Sequence, residues 1–547
     1  MKWTIKKVDN ESYYQQKYKV NSLLSKHLAY KNWQDEELQN ILQQRLLYHD
    51  FTLFDDALTA INRIRKAIDN KEKICIYGDY DCDGILGTSI LVEAFRQLGI
   101  TVGYHIPHRT KDGYGLHAQR VREMATKGYQ LIITVDNGIK AFEAIETANE
   151  LGIDVIITDH HGFDETLPKA QAIIHPITSP TYPFGGISGG FVAYKIASAL
   201  LGKHDKYLFC LAAITTISDM MPLVDENRPL VKRALGFMEE EDYPSLALLK
   251  GEKQPYSMRT LQMTIIPKIN SFGRLCDMVS PVHLIRYFVR GAKTSYQQKI
   301  ASYAVTINNK RQQLTRQQYQ AVMDSLSSQD DFLYSYETQL NEGIIGLVAG
   351  KYTRDFYRPS FVMQYDEAHQ MYRGSARGIK ELPLTTIFDH VKDLLLSYGG
   401  HALAGGFSVS KENCEVLKKE LDSFIHSSIA VMPEPTKEAL AIDLSDITQD
   451  NIASLDVLQP QGMGNEEIPL YLADIPVTRV QTVGQGKHLK FTLQVLDQTM
   501  DALFFNYGTS YEQYIAAKTV SLIGKLELQS FRGRQSICMM IEHIMEG

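Results

Sequence analysis

Apolar positions fall into two rhythms along this chain, and the change between them marks a change of architecture. Within residues 1–70, LFDDALTAINRIRKAID spaces its apolar residues three and four apart and stops before Asn70-Lys71-Glu72-Lys73. That spacing gathers them on one side of a helix, which predicts an N-terminal helical segment over 1–70. Short unbroken apolar runs follow at KICIYG (73–78), LIITVD (131–136) and DVIITD (154–159), with helical stretches between them. Strands of that length alternating with helices predict an α/β domain with a mostly parallel sheet over 71–275. Each run delivers an acid to the loop that follows it: Asp79, Asp136 and Asp159. Ligands of open α/β sheets bind at the carboxyl ends of the strands, so three acidic strand ends point to one shared site.

The pattern then turns basic. Residues 278–323 contain no Asp or Glu but carry Arg286, Arg290, Lys293, Lys299, Lys310, Arg311 and Arg316. QQKIASYAVTINNKRQQLTRQQYQAV reads as a long helix within a connecting region, 276–325. Two readings stand: a solvated bridge between lobes, or a track facing phosphates, from which acids are excluded because they would repel a nucleic-acid backbone. A second α/β unit is expected over 326–432, with glycine clusters at 343–350 and 399–406, and a linker around Pro433 and Pro435. LKFTLQVL, KTVSLIGKLELQ and SICMMIEHI predict a small β-barrel over 436–547. Residues 437–547 hold 8 Lys+Arg against 14 Asp+Glu, so the barrel is no general electrostatic clamp.

Composition changes this picture little. A chain of 547 residues should form about three domains. Its 44% apolar and 22% charged residues exclude collagenous and disordered classes. The charge, 57 − 64 = −7, argues against a chain basic throughout but leaves room for a local basic track. No apolar run reaches the ~18 residues of a membrane span. The start, MKWTIKKVDNESYYQQ, lacks the apolar core of an export signal. Six scattered cysteines without a CxxC pair fit a reducing cytoplasm.

The chemistry is concentrated in short acid- and imidazole-bearing segments. GDYDCDG (78–84) sets Asp79, Asp81 and Asp83 at alternate positions after a strand. A calcium loop of similar spacing would need an acid where Ile90 stands, and a helix before it. VDNG adds Asp136, TDHHG adds Asp159, His160 and His161, and TTISDMMPL adds Asp219 after an apolar helical run. Adjacent histidines cannot share one face of a strand, so one can bind metal while the other meets a substrate phosphate or a second metal. Asp159 could orient a neighbouring imidazole. Carboxylates with imidazole and no thiolate suit Mn²⁺ or Mg²⁺ better than zinc. Two such ions clamp the attacking and leaving oxygens of a phosphoryl displacement, which favours phosphoester hydrolysis. No Walker A sequence and no clear G-x-S-x-G elbow compete with that reading.

GDYDCDG, VDNG, DHH and SDMMPL, in this order, resemble the motifs of the DHH phosphoesterase superfamily. HIPHRTKDGYGLH (105–117) and IIPKINSFGRL (265–275) resemble the nucleic-acid-binding signatures of its RecJ branch. GSARG (374–378) and YGGHALAGGFS (398–408) resemble its companion DHHA1 domain, and GKHLKFTL the RecJ-type oligonucleotide-binding (OB) barrel. The implied fold is α/β: a DHH parallel-sheet domain and a DHHA1 α/β domain joined by a long helix, with a C-terminal OB-fold barrel. The implied activity is a 5′→3′ exonuclease on single-stranded DNA, using two Mn²⁺ or Mg²⁺ ions in DNA repair and recombination. The resemblance makes Asp79, Asp81, Asp83, Asp136, His160 and Asp219 metal ligands, with Asp136 bridging. It gives His160, His161 and His401 catalytic places beside Asp136. Arg109, Arg274, Ser375 and Arg377 would hold the DNA end and its 5′ phosphate, and His488 and Lys490 would bind DNA; the acid-free segment, independently of the resemblance, offers Lys310 and Arg311 as further DNA contacts. The implied partners are single-stranded DNA, a single-strand-binding protein and a RecQ-type helicase, with the protein a monomer.

Three departures from the family pattern touch the DNA channel and the barrel junction: Leu340-Asn341-Glu342-Gly343, Pro460 to Ile468, and His175-Pro176. No further domain is expected after the barrel. The rival readings are a phosphodiesterase of short oligonucleotides or cyclic dinucleotides, and a non-catalytic DNA-binding replication protein.

Overall fold

The computed structural model describes residues 2–163, 165–251, 254–324, 331–336, 339–429, 431–531 and 534–545. Two compact units divide the chain, Tyr48–Pro433 and Met1–Leu47 with Glu434–Gly547.

In the larger unit a parallel sheet runs in the spatial order Gly103–His105, Ile74–Tyr77, Leu131–Thr134, Asp154–Thr158, Ala172–Ile174. Ile74–Tyr77 and Leu131–Thr134 are buried along their whole length. That suits a parallel sheet covered on both faces, and it is why these runs lack polar alternation. The helices Cys82–Gln97 and Gly189–Leu201 pack on it, and Lys206–Ser218 packs on those two helices; all three are almost wholly buried. The helix Ala57–Asp69 joins this same core through Ile61 and Ile64.

A second, five-stranded sheet holds Ser397–Gly400, Ala404–Ser410, Met371–Arg377, Ser360–Asp366 and Leu333–Ser335 in that order. Its strands are antiparallel except the last pair. The helix Glu342–Phe356 precedes Ser360–Asp366, and the two share a hydrophobic core at Val348, Ala349 and Val362. The long helix spans Thr294–Asp324 and buries Ile300, Ala301, Ala304, Ile307 and Val322. It is therefore packed along one side rather than a free solvated bridge. Arg290 departs from the phosphate-track expectation: its guanidinium pairs with Glu93 at 2.9 Å and Asp205 at 2.5 Å. Two carboxylates already neutralise it, so it anchors the start of this region to the sheet domain.

The expected helical segment over 1–70 does hold the helices Glu11–Tyr18, Ser22–Lys31, Asp35–Leu42 and Ala57–Asp69, but it opens on a strand and is divided between the two units. Lys2–Lys6 is a strand that pairs in parallel with Thr436–Ala441, so the first 47 residues belong with the barrel and only the rest with the sheet domain. The helix Ser22–Lys31 is fastened there by Lys26, whose ammonium lies 2.6 Å from both Asp443 and Asp446. The barrel strands include His488–Val495, where Leu489, Phe491, Leu493 and Val495 alternate inward. This period of two is the one written in LKFTLQVL.

Candidate metal and nucleic-acid site

The acids of the sheet domain converge because each is delivered by a strand end or a helix end. Asp81 caps the helix Cys82–Gln97, its Oδ1 accepting from the amides of Asp83 (2.9 Å) and Gly84 (3.1 Å). Asp83 lies in the first turn of that helix and accepts from the amides of Gly189 (2.9 Å) and Gly190 (2.7 Å). Those two amides open the helix Gly189–Leu201, whose positive end favours a carboxylate. Asp136 has φ +63°, a left-handed conformation that costs a non-glycine residue energy and that Asp tolerates better than most. Its amide donates to Thr158 O (3.0 Å) and its carbonyl accepts from the Tyr114 hydroxyl (2.9 Å), so the conformation is held from both sides. Asp219 ends the helix Lys206–Ser218.

His160 joins these groups. Its Nε2 lies 3.0 Å from Asp136, 3.4 Å from Asp219 and 3.7 Å from Asp83. His161 turns the other way. Its Nδ1 meets Asp159 Oδ1 at 2.8 Å and the Tyr114 hydroxyl at 3.0 Å. Asp159 is fully engaged, accepting also from the amides of Ile139, His160 and His161. His175 pins the loop: its Nδ1 accepts from the amide of Ile177 (3.1 Å), which leaves Nε2 to donate to His161 O (2.9 Å). At this departure the imidazole supplies both a donor and an acceptor to the loop.

Electrostatics separates the roles. Burial, then Asp81, pushes Asp83 up to about 7 against its two amide bonds. Burial and neighbouring acids raise Asp79, Asp136 and Asp219 well above the usual carboxylate range. Burial and the adjacent His161 hold His160 down at about 3, leaving it a neutral imidazole, the ligand form. Burial also pulls on His161, but its bond to Asp159 prevails and holds it at about 9.

Three overlapping groups of ligand-type side chains lie within reach of one another: Asp79, Asp81 and Asp136; Asp136, His160 and His161, of which His161 is charged and bound to Asp159; and Asp83, His160 and Asp219. Asp79 Oδ1 is buried without a hydrogen-bond partner among the described residues. Repelling carboxylates, a bare buried oxygen and a neutral imidazole fit hard divalent cations such as Mn²⁺ or Mg²⁺. Asp83 is pushed up to about 7 and its neighbours are shifted in the same direction, so metal uptake should release protons from this cluster. Apparent Mn²⁺ affinity should rise with pH, by about tenfold per unit for each proton displaced below about pH 7. The thermal stabilisation given by Mn²⁺ should grow from pH 6 to pH 8. Calorimetry in two buffers of different ionisation enthalpy would count the protons, and finding none released would sink this account.

The wider cleft has a volume of about 1160 Å³ and is lined by Asp159, His161, Arg109, Arg274, Ser375, Arg377 and His401. Arg109 stacks over Tyr80, 4.8 Å from its ring centre, and Arg377 donates to Ser375 Oγ at 2.9 Å. Glu342, at one departure, lines the same cleft 3.5 Å from Arg373. Lys310 and Arg311 lie on the long helix, half-buried. In the other unit, Lys490 is paired with Asp501 at 2.6 Å, and His488 packs edge-on to Phe505.

Sequence reasoning missed Tyr114, Gly189 and Gly190. The signal for the glycines was present: Gly186-Ile187-Ser188-Gly189-Gly190 does spell G-x-S-x-G. The structure gives this serine another job. Ser188 is fully buried and caps the helix Gly189–Leu201, its Oγ bound to the amide of Phe191 and to Thr215 Oγ1.

Comparison with known proteins adds an independent line. Residues 73–217 match the DHH family N-terminal domain, 329–427 the DHHA1 domain and 439–543 the RecJ OB domain. A Bacillus subtilis protein named single-stranded-DNA-specific exonuclease RecJ is 32% identical over 495 residues, 88% of this chain and 62% of that protein. A Haemophilus influenzae protein of the same name is 26% identical over 95% of this chain and 94% of its own length. The chain thus spans under two thirds of the first relative and nearly all of the second. In fold, it resembles Thermus thermophilus RecJ solved with Mn²⁺, with a TM-score of 0.82 at 23% identity over 100% of this chain and 80% of that one.

Proposed function

As a member of the RecJ family, with DHH, DHHA1 and RecJ OB domains in that order, the chain is, we infer, a metal-dependent exonuclease that shortens single-stranded DNA from its 5′ end in repair and recombination. One observation carries this reading. The Arg109, Arg274, Ser375 and Arg377 grip shares its cleft with Asp159 and His161, and His161 Nδ1 lies 3.7 Å from Asp136 of the metal-site cluster. Planar guanidinium groups bind phosphate oxygens in pairs, so this grip suits a terminal phosphate.

Asp79, Asp81, Asp83, Asp136, His160 and Asp219 would hold Mn²⁺ or Mg²⁺, which when bound acidifies water and offsets charge on a phosphate. The chain's own residues do the rest. Tyr114 and Thr158 fix the Asp136 backbone, and so the place of its carboxylate. With Nδ1 committed to Asp159, His161 has Nε2 left to donate to a phosphate oxygen, and its charge persists to about pH 9. His401, on the same cleft from the second sheet's hairpin, suits a contact with the scissile phosphate. A single-strand-binding protein and a RecQ-type helicase are the partners this reading implies, because both present bare strands. All six cysteines are free and buried, which supports a cytoplasmic location. A non-catalytic descendant should have lost ligand positions, and here each is filled.

The test is end-labelled single-stranded DNA with and without Mn²⁺. A 5′ label should appear first as mononucleotide, a 3′ label should stay on long products, and circular strands should resist. Rapid cutting of circles would mean an endonuclease.

A further inference from the structure

The acid-free segment, from which the exonuclease reading takes only general DNA contacts at Lys310 and Arg311, also borders a recess that this reading leaves without a ligand. This second recess, of about 550 Å³, lies behind the terminal-phosphate grip and is lined by the long helix, the helix Glu342–Phe356 and Arg377. Five of its lining residues are cations, Arg311, Arg316, Lys351, Arg354 and Arg377, and none is an acid. Lys351 is partly neutralised by Asp355 at 2.5 Å, and Arg354 lies 3.6 Å from the same carboxylate. Among the described residues no ion pair involves Arg311 or Arg316, and the buried Arg311 Nε has no hydrogen-bond partner.

Arg377 and Gly346 line both this recess and the main cleft. A β-carbon at Gly346 would sit 3.0 Å from both Arg377 Nη2 and Ser375 Oγ, so the bare helix surface lets the arginine lie flat as a partition. Asp159 and His161, beside the metal site, line the main cleft and not the recess, and no metal-site carboxylate or imidazole lines the recess. The charge is also felt across the partition. Burial, then Arg109, Arg311 and Arg377, pull the Arg274 guanidinium down to about 9. Cations gathered without counter-charge repel one another, and an anion seated among them relieves that repulsion.

The place of the recess selects the anion. A strand whose terminal phosphate rests on Arg377, with its scissile phosphate at the acids, can extend past Arg377 only by growing at its 5′ end. We propose that this recess takes the outer phosphates of a polyphosphate chain borne on a 5′ carbon, so that the protein also accepts strands ending in a 5′-triphosphate. The proposal rests on the exonuclease reading for its product. Water would add to the phosphorus between the first two nucleotides and the P–O3′ bond would break, with a proton passing to O3′. The first product would then be a nucleoside triphosphate, and the shortened strand would carry a 5′-monophosphate.

Two measurements test it on the full chain. Equilibrium binding compares one DNA sequence with a 5′-triphosphate, a 5′-monophosphate or a 5′-hydroxyl, and uses inorganic tripolyphosphate as a competitor. The triphosphate end should bind at least tenfold more tightly than the monophosphate, and the double variant Lys351→Gln/Arg354→Gln should lose that advantage with monophosphate binding unchanged. If tripolyphosphate binds the recess as tightly as the strand end does, a free polyphosphate is the ligand, and the strand-end assignment falls. Hydrolysis with Mn²⁺ should release nucleoside triphosphate at a rate within about threefold of the monophosphate strand. Equal binding of all ends, or a triphosphate end that blocks degradation of an otherwise good substrate, would overturn the proposal. A protein that binds triphosphate ends selectively but degrades no strand would instead fail the exonuclease reading alone.

Discussion

Asp136→Asn should reduce hydrolysis of single-stranded DNA by at least about 10³-fold, beyond the 10–100-fold typical of losing a partner outside the ligand shell. The reason is its place in two of the three donor groups, where one carboxylate serves both. Asn is the informative replacement because it tolerates the left-handed backbone that Asp136 adopts, at φ +63°. It keeps the shape and removes a charge that the buried acids around it already disfavour. The metal-free variant should therefore melt at the wild-type temperature or slightly above it. What it should lose is the stabilisation by Mn²⁺, read in the same thermal scan. A variant that is folded, active within a few-fold of wild type and still stabilised by Mn²⁺ would show that Asp136 does not join the ions.

Gly189→Ala should be nearly as damaging without touching any ligand. An added β-carbon would stand 2.7 Å from Asp136 Cβ and 2.8 Å from its Cα and Oδ1. Those atoms belong to a residue held by backbone bonds on both sides, so it cannot yield cheaply. The alternative is for the helix Gly189–Leu201 to retreat, which pulls the Gly189 and Gly190 amides off Asp83. Either movement misplaces a ligand, and activity should fall by about 10²-fold. Overpacking should cost about 1–3 kcal/mol of stability, seen as a melting point lowered by a few degrees. Ser188→Ala is the control. It removes a helix cap worth about 1 kcal/mol but leaves both amides in place, so activity per folded molecule should persist. Full activity in Gly189→Ala would mean the site tolerates displacement that the close approach forbids.

The sequence by itself determined the alternation of apolar runs and helices, because fully buried parallel strands and half-buried barrel strands leave different hydrophobic periods. It also determined that Asp79, Asp136 and Asp159 sit at strand ends, since a strand's end is local to its own apolar run. The order of the acid and imidazole segments was legible for the same reason. What it could not convey was any relation between segments far apart in the chain. Lys2–Lys6 looks like the start of a helical segment until Thr436–Ala441 supplies the strand it pairs with. Arg290 looks like a free cation until Glu93 and Asp205 arrive from other helices. Adjacent His160 and His161 are indistinguishable as letters. Burial and His161's charge leave the first a neutral ligand, while Asp159 makes the second a cation. Tertiary structure decided these matters because charge state, pairing and close approach depend on which distant groups share a space of a few ångströms, and no periodicity along the chain records that.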